Sequence, residues 1–273
     1  MTEELLGILG DPVAFEPLKD KPGRRSTLRA TGSRDSAIVK IYASDRAATV
    51  AARVGALGAG PPEPVVPRVL LCDPARHMVV LSYVPGRPLR EAVLTGDGDA
   101  CARAGSALGS WHGFWKGRAP RCLARHTSRR EIEIIEARAG ALPAADTERV
   151  TRLSRHLRPR WACSTVIHRD LYEDQIMVGA RIGLIDLDDA AAGPPELDMG
   201  NLLAHLEPLA LRDGIGIDDV AGALLDGYAA SGAELDRDLL DRCRRLSLLR
   251  LVCIHRESRL LTPVESPAPG IRT

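Results

Sequence analysis

Aromatic side chains make up only 3% of this 273-residue chain, so its core must rest on Leu, Val, Ile and Ala. Charge of either sign is barely in excess: 37 Lys and Arg against 36 Asp and Glu leave a net charge of +1. That balance provides no global field for nucleic acid or an anionic membrane. No apolar run is long enough to span a bilayer, and no apolar leader segment stands at the N-terminus. Six cysteines (Cys72, Cys101, Cys122, Cys163, Cys243 and Cys253) form no C-x-x-C pair and show no histidine spacing that suggests zinc. Reduced thiols in a cytoplasm are the simplest account. With 45% apolar residues, the chain can still bury a large core, as one bilobal unit or as two domains.

Two acidic stretches carry the chemistry. In Val166-Ile-His-Arg-Asp170 an apolar strand hands His168, Arg169 and Asp170 to a loop. Gln175 is expected to start a second short strand, Gly179-Ala180 a tight turn, and Ile182 to Ile185 the returning partner of a hairpin that ends on Asp186. Asp170, Gln175 and Asp186 then converge at one edge. Two carboxylates and an amide oxygen suit a hard cation such as Mg²⁺ bridging phosphates, together with a base that accepts a hydroxyl proton. The pattern resembles the H-R-D-x-x-x-x-N and D-F-G segments of kinases, with Gln for Asn and Asp-Leu-Asp for Asp-Phe-Gly.

Upstream, Ser26 to Ala30 and Ala37 to Tyr42 read as strands around a polar turn. Ser44 to Leu57 reads as a helix, with Ser44 as N-cap and Gly58 or Gly60 as its stop. Val65 to Cys72 and His77 to Tyr83 are two more strands, and the Pro/Gly-rich Val84 to Leu89 is the best boundary. Beyond it, helices are expected over Asp99 to Trp115, Ser128 to Ala141, Ala144 to Arg158, Leu197 to Leu206, Asp218 to Ala230 and Leu235 to Leu261, with a frayed tail from Pro263 to Thr273.

These features together resemble the aminoglycoside phosphotransferase and choline kinase-like family of small-molecule kinases. The resemblance rests on the strand lysine Lys40, on Tyr83-Val-Pro-Gly-Arg-Pro-Leu89, on Leu108-Gly-Ser-Trp-His112, on the His168 to Met177 loop, on Ile185-Asp-Leu-Asp188 and on Asp198-Met-Gly-Asn-Leu-Leu203. It implies an α+β, two-lobed protein-kinase-like fold: a small antiparallel-sheet N-lobe over residues 1–83 that binds nucleotide, and a larger helical C-lobe over 84–273 with the catalytic loop and acceptor site. The implied reaction moves the γ-phosphoryl of ATP or GTP, with Mg²⁺, to a hydroxyl of a small molecule such as an aminoglycoside-like antibiotic, an amino alcohol or a sugar. By the same resemblance Asp170 is the catalytic base, and Asp186 and Gln175 are metal ligands. Lys40 meets the α- and β-phosphates, and Ser82, Tyr83 and Val84 form the nucleotide-binding hinge. Asp198 braces the catalytic loop, with an N-cap role open beside it; His168 packs that loop, and Arg169 is either surface or an acceptor contact.

Departures from the family pattern are equally legible. The helix Ser44 to Leu57 has no glutamate for Lys40, and Glu63 lies beyond a Pro-Pro connector. No G-x-G-x-x-G loop is present; Lys21 to Thr27 or Thr31 to Arg34 could cover phosphates instead. Only eleven residues separate Asp186 from Asp198 and no A-P-E follows, which favours a small acceptor over a peptide. Glu131, Glu133 and Glu136 could attract a cationic acceptor, although a charged helix face is more often simply solvated. The expected protein is a monomer or homodimer without nucleic-acid or membrane partners. The missing glutamate and the Asn-to-Gln change motivate one alternative, a nucleotide-binding pseudokinase that regulates a partner protein.

Overall fold

The computed structural model describes residues 2–213, 216–257 and 260–264. After a short helix α1 (Thr2–Leu9) come β1 (Ala14–Lys21), β2 (Arg25–Thr31), β3 (Ser36–Tyr42), α2 (Ala47–Leu57), β4 (Val69–Asp73) and β5 (Met78–Ser82). The five strands form one antiparallel sheet in the order β1-β2-β3-β5-β4. Strand alternation decides which side chains meet which layer. Leu5 and Leu9 of α1 cover one face with Val39, Met78 and Val80. On the other face Tyr42, Val79 and Leu81 pack with Ala47, Val50, Val54 and Leu57, the stripe that α2 buries at helical spacing. Lys40 opposes Val79 in the register and therefore points to this second face; a slip of one residue would turn it under α1.

The helical lobe begins with β6 (Arg87–Pro88), α3 (Leu89–Thr95) and α4 (Gly98–Trp115), followed by the hairpin α5 (Ser128–Ala139) and α6 (Ala144–Leu157). Then come β7 (Thr165–Ile167), β8 (Ile176–Val178), β9 (Ile182–Leu184) and β10 (Ala191–Gly193), and the helices α7 (Pro195–Asp213), α8 (Asp218–Ala230), α9 (Arg237–His255) and α10 (Leu261–Val264). α4 and α8 touch backbone to backbone: a Cβ on Gly105 would lie 2.0 Å from the Leu224 carbonyl oxygen, and one on Gly227 2.0 Å from that of Ala102. α5 and α6 bury Ile132, Ile135 and Val150 against Leu248, Leu249 and Val252 of α9. The two halves join at Val65, whose N–H donates to Ile182 O and whose carbonyl accepts from Leu184 N–H, both at 2.8 Å. Among the described residues no helix is long and apolar enough to cross a membrane.

Several expected boundaries move, each for a local reason. Val65 is taken by this bridge to the β8–β9 hairpin, so the strand expected from Val65 starts at Val69. Ser44 does not cap α2; Arg46 is the N-cap, with no side-chain hydrogen bond, and Gly58 does end the helix. α7 runs past Leu206 to Asp213, carrying Pro208 inside it. The helix expected over Leu235 to Leu261 spans only Arg237–His255, because Arg256 turns left-handed at φ +57. Most of the tail from Pro263, residues 265–273, lies outside the described residues. α1, β1 and α3 went unread; β1 is almost wholly exposed and shifts register at Pro17, so it lacks the alternation that marks a half-buried strand.

Candidate active site

β7 ends at Ile167, which pairs with Ala191 of β10, and so delivers His168 to the loop. The chain turns sharply there. Arg169 adopts φ +74, a left-handed conformation that costs a residue with a side chain about 1 kcal/mol or more. α7 holds that turn in place. Asp198 accepts the backbone N–H of His168 at 2.6 Å and that of Arg169 at 2.8 Å, and Asn201 Nδ2 donates to the Leu171 carbonyl at 2.6 Å. Asp198 is the fourth residue of its helix, so it braces the loop and does not cap α7. Buried His168 accepts the Asp170 N–H on Nδ1 at 3.3 Å, which leaves Nε2 to donate to Ile185 O at 2.7 Å. It thereby ties the two acidic stretches together, a structural task as expected.

Asp170 emerges from this scaffold with its side chain 55% exposed, 3.8 Å from Arg250 Nη2. It faces a cavity of about 1100 Å³ that Asp186, Asp188 and Asp189 also line. Arg169 pairs with Asp189 at 3.4 Å on the same wall.

The second stretch gathers the buried charge. Asp186 sits at φ +60, a region that Asp tolerates better than most residues. Lys40 Nζ donates to Asp186 and to Asp188, each at 2.6 Å. Arg25 donates to both oxygens of Asp186, at 2.8 and 3.0 Å, and to Asp188. The Tyr42 hydroxyl donates to Asp188 at 2.8 Å. Burial alone would raise the Asp186 carboxyl, but the nearby Lys40 and then Arg25 hold it well below the usual carboxylate range. Burial, and next the Asp188 carboxylate, push the Tyr42 phenol up. Glu63 takes no part, since it accepts the Ile182 N–H instead.

Of the two turns proposed to cover phosphates, only one is placed for it. Lys21, Arg24 and Arg25, at the β1–β2 turn, line the cavity. The Thr31 to Arg34 turn packs on α1: Arg34 donates to the Leu6 and Gly7 carbonyls, and a Cβ on Gly32 would fall 2.2 Å from Leu9 O.

Gln175 closes a 3₁₀ turn, Glu173–Gln175, rather than opening β8. Its backbone carbonyl accepts the Ile185 N–H at 3.0 Å, next to Asp186, but the buried residue is not on the cavity wall. Nor are Ser82, Tyr83 and Val84. Ser82 Oγ accepts the Arg68 N–H at 2.9 Å, the Tyr83 ring carries the Arg29 guanidinium 4.5 Å from its centroid, and buried Val84 lies against Gly183 of β9. The structure thus joins Lys40 directly to Asp186 and sets Asp170 and Asp186 on one cavity. Sequence reasoning passed over Asp188 and Arg250 and reached Arg25 only within the Lys21 to Thr27 segment. Asp188 had a signal, standing two residues after Asp186; Arg250 had none, and nothing local joined Arg25 to Asp186 and Asp188, because those contacts link distant segments.

A family model described as "Phosphotransferase enzyme family" matches residues 22–244. Comparison with curated proteins gives no match. Among solved structures, a choline kinase from Cryptosporidium parvum Iowa II superposes with a TM-score of 0.70 at 11% identity, covering 97% of this chain and 94% of that one. Aminoglycoside phosphotransferase APH(3'')-Id from Streptomyces rimosus gives 0.65 at 19% identity, with 90% and 95% covered. A macrolide 2'-phosphotransferase from Brachybacterium faecium gives 0.62 at 15% identity, with 96% and 94% covered. At these identities the likeness is one of fold: a protein-kinase-like architecture over most of each chain.

Proposed function

This chain belongs to the phosphotransferase enzyme family, a kinase with an alcohol group as acceptor, and from that premise we propose that it moves the γ-phosphoryl of ATP to a hydroxyl of a small molecule. One observation carries the reading: Asp170 and Asp186 face a common cavity, and Asp186 is bonded to the strand lysine Lys40. Residues 1–83 form the nucleotide half, and residues 84–273 hold the catalytic loop and acceptor site. Asp170 is open to the cavity and fixed at its backbone, as a base needs to be if it is to orient the acceptor hydroxyl and take its proton. The acceptor oxygen bonds to the γ-phosphorus while the bond to the β–γ bridging oxygen breaks and ADP leaves. Lys40, Lys21, Arg24 and Arg25 supply positive charge for the phosphates; Ser82, Tyr83 and Val84, which lie off the cavity wall, are assigned the hinge beside the nucleotide base on the family pattern alone.

The donor set fits Mg²⁺. Among the described residues no group of three or more His, Cys, Asp or Glu side chains could hold a metal alone. One or two carboxylates completed by substrate phosphates is the usual Mg²⁺ arrangement, and Asp186 and Asp188 offer that much at the cavity wall. Asp186 would be the principal ligand; the family pattern gives Gln175 the second position, though its buried side chain lies off the cavity wall, where Asp188 stands. Held there, the ion would supply positive charge against the transferring phosphates.

The direct test is incubation with labelled ATP, Mg²⁺ and a panel of hydroxylated small molecules. Label on one of them, lost in Asp170→Ala, supports the reading. Absence of nucleotide binding at millimolar ATP overturns it.

A further inference from the structure

The acceptor side of the cavity carries the opposite charge from the one that Glu131, Glu133 and Glu136 suggest. None of these glutamates lines it. Glu131 is fully buried beneath His126 and Arg250, Glu133 pairs with Arg129 and Arg130, and Glu136 accepts from Arg155. α5 turns the other face inward, presenting Arg130, Ile134, Ala137 and Arg138 at helical spacing. From α9 comes Arg250, 5% exposed, whose Nε has no hydrogen-bond partner. Arg256 adds another guanidinium just past the end of that helix.

Arg130 pairs with Glu133 and Glu257 also lines this wall, so the surplus charge rests on Arg138 and Arg250. Among the described residues no carboxylate pairs with Arg138; burial and then Arg250 disfavour its charge, while Asp170 and Glu131 act the other way. Arg250 donates to Asn201 Oδ1 and to the Arg169 carbonyl and has Glu131 at 3.7 Å and Asp170 at 3.8 Å, which leaves its Nε as the group without a partner. The Lys21, Arg24 and Arg25 group belongs to the N-lobe turn, so the C-lobe arginines are not needed to bind the donor phosphates. Guanidinium groups bind carboxylate and phosphate oxygens through paired, charge-assisted hydrogen bonds, whereas an ammonium in the same place would be repelled.

Resting on the phosphotransferase reading above, we propose that the acceptor carries an anionic group, a carboxylate or a phosphate ester, beside its hydroxyl, and that Arg138 and Arg250 bind that group. The anion lies on the C-lobe arginines, with the hydroxyl directed to Asp170. The stacked rings of Tyr172 and His205, 4.9 Å apart, give the same cavity a flat, uncharged surface for the body of the molecule. Amino alcohols and polyamino sugars are excluded by the same charges.

The experiment saturates the protein with AMP-PNP and Mg²⁺ and titrates it calorimetrically with small alcohols of different charge: glycerate, glycerol 3-phosphate, choline and kanamycin. We expect one or both anions to bind and the cations not to; which anion binds distinguishes carboxylate from phosphate. Arg138→Glu lies at the exposed cavity wall, so it should fold. It should weaken anion binding by at least about tenfold, the scale of a lost charged hydrogen bond, with AMP-PNP affinity unchanged. Preferential binding of choline or kanamycin, binding of neither class, or anion binding indifferent to Arg138→Glu overturns the proposal. If AMP-PNP itself fails to bind, the phosphotransferase reading fails; anion binding that Arg138→Glu abolishes would still support the anion site.

Discussion

Lys40 donates to Asp186 at 2.6 Å, joining residues 146 positions apart in the sequence. The lysine therefore needs no glutamate from α2: it is held by Asp186 and, at the same distance, by Asp188. Its orientation thus no longer motivates the pseudokinase alternative. Replacing Lys40 by Ala removes a charged donor for the phosphates, so we expect nucleotide affinity to fall by about ten- to a hundredfold. Calorimetric titration with AMP-PNP checks this, and unchanged affinity would contradict the role.

Asp188 is the buried partner of three groups, Lys40, Arg25 and Tyr42. Asp188→Asn leaves two cations with less counter-charge at a site that excludes most water. Breaking one side of a buried ion pair costs about 3–5 kcal/mol, and urea denaturation should show a loss of that order. A midpoint equal to that of the parent would mean that solvent screens the cluster.

Asp198→Ala tests the brace. It strips acceptors from the His168 and Arg169 N–H groups, of which His168 is buried, and an orphaned buried donor costs about 1–3 kcal/mol. We expect lower stability together with a kcat that falls while AMP-PNP affinity holds, because the change displaces Asp170 and spares the Lys40–Asp186 contact. Equal losses in both would place Asp198 in nucleotide binding.

His205 gives the protein a pH dependence of definite sign. Burial first, then Arg250, lowers its imidazole from 6.5 to about 3. Below pH 6.5 the unfolded chain takes a proton that the folded one refuses, so stability falls as pH drops from 6.5 toward 3. The slope is at most about 1.4 kcal/mol per pH unit, reduced where solvent reaches the ring. Denaturation at pH 6.5 and 4.5 should show a shallower loss in His205→Asn; Asp186, depressed below the carboxylate range, acts only at lower pH. Parallel losses in the two proteins would rule His205 out.

Much of the site was legible because its residues follow one another along the chain. His168, Asp170 and Asp186 sit at fixed offsets from short apolar strands, and Lys40 sits in an alternating strand; the lobes and most helices followed from period and turn signals. The partners of Lys40 were not legible, since pairing across 146 positions leaves no local trace. The charge of the C-lobe cavity wall was hidden for a different reason. α5 holds arginines and glutamates in near-equal measure, and only its packing on α9 decides which set faces the cavity.

The division of labour between Asp170 and Asp186 is tested most directly by measuring Mg²⁺-dependent AMP-PNP binding and ATP turnover side by side in Asp170→Ala and Asp186→Ala. In Asp170→Ala we expect binding near the parent value, with kcat lower by about two to four orders of magnitude, the scale of a lost general base. In Asp186→Ala both should collapse. Loss of nucleotide binding in Asp170→Ala, with binding retained in Asp186→Ala, would contradict the assignment.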